Sequence, residues 1–155
     1  MALPKISTLR THERSGFTLV EILIVTALLA SLGGLAVVVS MATYRSYTFL
    51  SEQDLLISLL QKARSQSLNN LNQAPHGVYL DMDAYTLFEG SNYARRDQAQ
   101  DLSFSRNSNY FLNGLTEIVF AQISATTTSG EIILDDHIHP KATISLNYEG
   151  QINLH

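Results

Sequence analysis

The stretch RSGFTLVEILIVTALLA, residues 14–30, decides how this chain is read. An apolar run begins at Phe17, and one carboxylate, Glu21, sits inside it with no basic residue beside it. From Ile22 to Tyr44 no side chain is charged, a run of 23 residues. As a helix that run reaches about 34 Å, enough to cross a hydrocarbon core of about 30 Å. The sequence therefore predicts a membrane segment near the start of a 155-residue chain, with one compact domain after it.

Flanking charge gives the orientation. Residues 1–16 carry Lys5, Arg10 and Arg14 against Glu13, a net of +2. The positive-inside rule keeps this end in the cytoplasm and sends the rest of the chain across. The chain has no cysteine, so the exported part must hold together by packing alone. An ordinary secretory signal fits poorly. Ser40-Met41-Ala42 is a passable cleavage site, but the apolar core is too long and contains an acid.

Gly16-Phe17-Thr18-Leu19-Val20-Glu21, behind a short basic leader and ahead of about twenty apolar residues, resembles the class III signal of type IV pilins and type II secretion pseudopilins. The resemblance implies that prepilin peptidase removes residues 1–16 by cutting between Gly16 and Phe17, then N-methylates the new amino terminus. It also implies retention of the apolar segment, first as an inner-membrane anchor and later as part of a filament core. Glu21 then acquires a reason. An acid inside a membrane helix costs about 2.5–3.5 kcal/mol at mid-bilayer. After the cut, every subunit carries a positive amine on Phe17, four residues away. In a staggered filament the Glu21 of one subunit meets the Phe17 amine of a neighbour, which sets axial register. The competing reading is a glutamate that snorkels to the headgroups.

Gly33-Gly34 interrupts the anchor, and glycine weakens a helix by about 1 kcal/mol relative to alanine. Two readings stay open: a place where the helix loosens between bilayer and filament, or close packing of small residues between membrane helices. The anchor half is expected over 17–44 and an amphipathic half over 45–72. In the second half Leu56, Leu60, Ala63 and Leu71 recur at helical spacing, with Ser67 the one polar step. Glu52, Asp54, Lys62 and Arg64 are placed on the solvated side, and Asn69, Asn70 and Asn72 mark the end. A helix over 17–72 would be about 84 Å long.

Residues 73–155 read as an antiparallel β-sheet domain, giving an α+β, pilin-like fold with the long helix packed on the sheet. GVYLDM and AYTLFE form a hairpin around Asp83 with Val78, Leu80 and Met82 on one face. EIVFAQI and EIILD alternate as strands. KATISLNYEGQINL reads as a final hairpin of 142–148 and 151–154, turning at Glu149-Gly150, with Ile144, Leu146 and Tyr148 facing one way. With LLQKARSQSLNNLNQAPHGVYLD, this end is similar to H-type minor pseudopilins and FimT/FimU-like minor pilins. The polar stretch near 90–116 reads as a long loop or an inserted hairpin, and its Arg95-Arg96 is a candidate contact for nucleic acid or a neighbouring subunit.

DDHIHP would put Asp135, His137 and His139 on one face if extended, but lacks a fourth ligand for a closed zinc site. Asp81 and Asp83 lack the glycine and bidentate glutamate of a calcium loop. No nucleophile motif or phosphate-cradling loop occurs, so neither an enzyme nor a cofactor is expected. Residues 45–155 hold seven Lys and Arg against twelve Asp and Glu, a net of −5, which argues against duplex DNA as a partner. The reading is a structural minor pilin or pseudopilin, with partners in prepilin peptidase/methyltransferase, the inner-membrane assembly platform and other pilin subunits. Two alternatives are a DNA-binding minor pilin of a DNA-uptake pilus and a membrane-anchored enzyme or sensor with a prepilin-like anchor.

Overall fold

The computed structural model describes residues 16–137 and 141–155, with the side chains of 36–38 and 42 outside the description. The fold is α+β: one long helix and two four-stranded antiparallel sheets. The chain divides into two compact units, Met1–Ala42 and Thr43–His155.

Helix α1 runs Leu19–Leu68, shorter at both ends than the expected 17–72. Thr18 caps its start: the Thr18 hydroxyl accepts the Glu21 backbone N–H at 3.2 Å. At its end Asn70 adopts a left-handed conformation with φ 53°, which an asparagine tolerates better than most residues, and a 3₁₀ turn follows at Leu71–Gln73. The helix is uninterrupted across Gly33-Gly34.

The first sheet has the order β3-β2-β1-β5, built from β1 (His76–Leu80), β2 (Ala84–Glu89), β3 (Leu102–Ser105) and β5 (Glu117–Phe120). The second has the order β4-β6-β7-β8, from β4 (Phe111–Gly114), β6 (Gly130–Asp135), β7 (Ala142–Leu146) and β8 (Ile152–Leu154). The expected hairpins form, with Leu80 opposite Tyr85 and Leu146 opposite Ile152. Residues 90–116 are not an inserted hairpin. They hold two 3₁₀ turns and two strands that join different sheets, β3 on β2 and β4 on β6. The chain returns to the first sheet within two residues, because Leu115 N–H bonds to Glu131 O while Thr116 O accepts Leu80 N–H. Gly114 permits that switch. Its φ is +103°, and a Cβ there would run into the Glu131 carbonyl.

The core lies among the buried stripe of α1 and both sheets. Leu56, Leu59, Leu60 and Ala63 pack with Val78, Tyr85, Ile118, Phe120, Ile132 and Ile144. A smaller cluster joins Phe49, Tyr110, Leu134 and Ala142. Two alternation readings fail at strand ends, and a third strand is shorter than expected. Met82 is 80% exposed because β1 stops at Leu80 and a turn begins. Ile123 is exposed beyond the end of β5, with φ 67°. Tyr148 is exposed because β7 stops at Leu146. At Met82 and Tyr148 the turn breaks the period of two, so the next residue no longer follows the pleat.

Candidate functional site

The residues singled out at the N-terminus are all accessible. Gly16 has open space where a Cβ would stand, and Phe17 is 79% exposed. Of the expected leader, residues 1–16, all but Gly16 lie outside the described residues. Thr18 was not foreseen as a cap, although Thr-x-x-Glu over residues 18–21 is the sequence signature of a capping box. The cap fixes the helix start at Leu19, two residues beyond the Gly16–Phe17 bond, and Glu21, in the first turn, sits where the helix dipole favours an acid. Among the described residues the Glu21 carboxylate has no ion-pair or hydrogen-bond partner.

Beyond Glu21 the described large apolar side chains of the first unit are exposed on every face of α1, among them Ile22, Leu23, Leu28, Leu29, Leu32 and Leu35. Gly33 and Gly34 have nothing within 4 Å of an added Cβ, so no contact among the described residues requires a small residue there. This is a helix long and apolar enough, by length and composition, to cross a membrane.

The globular unit carries polar clusters that are structural in character. Glu52 is buried, not solvated as expected from its charge. Its carboxylate accepts the Tyr85 hydroxyl at 2.8 Å and faces the Asn107 backbone N–H. Burial, then the Glu52 carboxylate, pushes the Tyr85 phenol far above its ordinary range, so it remains a neutral donor. Ser67, the polar step in the leucine stripe, is fully buried. It donates to Phe120 O and accepts from His76 N–H, both at 2.9 Å, tying the last turns of α1 to β5 and β1. Arg106 donates to the carbonyls of Asp81, Met82 and Tyr110, clamping the β1–β2 turn, whose Asp81 and Asp83 remain exposed.

Arg95 is exposed, but Arg96 is committed within the fold. Its guanidinium lies 3.7 Å over the Tyr93 ring and pairs with Asp101 at 2.7 Å. Tyr93 in turn stacks on Tyr79 with centroids 3.8 Å apart. The arginine pair is thus one surface charge and one structural brace. His76 is buried beside Glu89 at 3.6 Å, lining a cavity of about 160 Å³ with Gln66 and Asp101. Burial holds its imidazole below the ordinary value, against the opposing pull of Glu89.

Asp135 and His137 do not share an extended strand face. Strand β6 ends at Asp135, and His137 turns left-handed with φ 59°. His139 lies outside the described residues. The Asp135 carboxylate accepts the His137 backbone N–H at 2.8 Å and pairs with Lys141 at 3.0 Å, interactions that hold it well ionised. Among the described residues no three His, Asp or Glu side chains converge as metal ligands. Comparison with protein-family models, curated proteins and solved structures gives no match.

Proposed function

We propose that this chain is a minor pilin or minor pseudopilin, a structural subunit cut after Gly16, held in the inner membrane by α1 and inserted through that helix into a filament. The observation that carries the reading is the combination at residues 14–44. A Gly-Phe bond in an accessible position precedes a capped helix start, a lone acid one turn in, and an apolar surface whose described large side chains are exposed. A helix apolar all round needs lipid or other apolar helices about it, and a filament core supplies the second. The Phe17 amine created by the cut would then pair with Glu21 of a neighbour. The exported domain, with a net of −5 and Arg96 already engaged, offers little that would attract duplex DNA.

The test is the mature N-terminus. Mass spectrometry of the native protein should find a chain starting at methylated Phe17. Gly16→Leu should retain the leader and leave the protein in the inner membrane. An intact Met1, or a start at Thr43 after Ala42, would overturn the reading.

A further inference from the structure

Tyr44 and Tyr47 stand three residues apart, on one side of α1, where the charge-free run ends. They are 69% and 68% exposed, and neither hydroxyl has a hydrogen-bond partner among the described residues. Between them Arg45, also exposed, is the first cation after the leader. Two residues further, Phe49 is already buried in the domain core. The tyrosines therefore occupy the short stretch between the apolar run and the domain's own packing, and serve neither.

We propose that Tyr44, Arg45 and Tyr47 form a phospholipid-headgroup anchor at the outer face of the bilayer. This inference rests on the reading that α1 crosses the membrane. Tyrosine suits that zone because its ring is apolar and its hydroxyl seeks water, and arginine adds attraction to lipid phosphates. Length supports the choice of lipid over a second protein. The 23 uncharged residues from Ile22 to Tyr44 span about 34 Å as helix, close to the hydrocarbon thickness of about 30 Å. With the tyrosines at one headgroup boundary, Glu21 reaches the opposite one. The acid is then hydrated while the subunit waits in the bilayer, and its desolvation falls on the assembly step.

The chain contains no tryptophan, so a single introduced one reports depth without background. Full-length Tyr44→Trp, Tyr47→Trp and Leu32→Trp proteins would be reconstituted in phosphatidylcholine–phosphatidylglycerol vesicles with bromines placed shallow or deep on the acyl chains. The expected result is stronger quenching by shallow bromines at positions 44 and 47, by about twofold or more over deep ones, and the reverse at 32. Water-like, unquenched emission at 44 and 47 beside deep quenching at 32 would overturn the anchor while leaving the crossing intact. Absence of quenching at 32 would overturn the crossing itself, and the anchor with it. Replacing both tyrosines with alanine in the Leu32→Trp protein should change the shallow-to-deep ratio. An unchanged ratio would show that the tyrosines do not set the helix's depth and would overturn the proposal.

Discussion

The two halves of α1 share one secondary structure and differ in everything that surrounds it. From Leu19 to Ala42 the described side chains are exposed on all faces and nearly all apolar. From Thr43 to Leu68 a stripe of Phe49, Glu52, Leu56, Leu59, Leu60, Ala63 and Ser67 is buried, while Asp54, Ser58, Gln61 and Lys62 face solvent. Helix propensity does not separate the halves. Partners do: the second half finds its apolar neighbours in β1, β2, β5, β6 and β7, and the large apolar side chains described in the first stay exposed. A helix with one apolar stripe has been solved by its own domain, whereas one apolar all round is addressed to a different solvent.

The strongest break would come at Glu21. In the proposed filament, Glu21→Ala leaves a neighbour's amine unpaired in an apolar core, a loss of about 3–5 kcal/mol. The mutant should be cleaved normally yet fall more than about a hundredfold in the ratio of filament to membrane subunit, with Glu21→Asp intermediate. An unchanged ratio in sheared filaments against inner membranes would remove the pairing role. Next, Leu60→Ala should destabilise the domain by about 2–5 kcal/mol in chemical unfolding of the detergent-solubilised chain, since Leu60 is fully buried. Leu28→Ala should leave that transition where it is. Equal effects of the two would show that the halves are not distinct.

A smaller effect is expected at Ser67→Ala, which strands the His76 N–H and the Phe120 carbonyl in a buried site. Each unsatisfied group costs about 1–3 kcal/mol, so the unfolding midpoint should drop visibly. Smallest is the response of His76 to acid. Burial lowers its folded-state pKa, so the unfolded chain binds the proton more readily. Its contribution is present above the unfolded value and is lost as pH falls below about 6.5 toward the folded one. Unfolding midpoints at pH 7.5 and pH 5.5 should differ more in the wild type than in His76→Gln, and equal differences would remove His76 from the pH response.

Much of this architecture is legible in the sequence, and the departures have local causes. The hairpins at 76–89 and 142–154 follow from strands whose alternation is unbroken up to a turn. Met82 and Tyr148 leave the face that alternation predicts because they lie past that turn. Charge predicts a solvated Glu52, although it lies four residues before Leu56 and hence on the buried stripe. A carboxylate tolerates that position only because Tyr85, 33 residues away in sequence, donates to it. Strands β3 and β4 gave no clear signal. They are edge strands of mixed polarity, stabilised by pairing with β2 and β6 and not by any pattern of their own.

The sequence by itself determined the charge-free run, the lone acid, the Gly-Phe bond and the α+β class, because these depend on composition and on spacing along one segment. Tertiary structure alone decided that residues 102–114 divide between two sheets, that Ser67 and Glu52 are buried and satisfied, and that Arg96 braces Tyr93. Each of those outcomes depends on a partner far away in the chain. A polar group's place is set by whether that partner arrives, and local pattern carries no record of it.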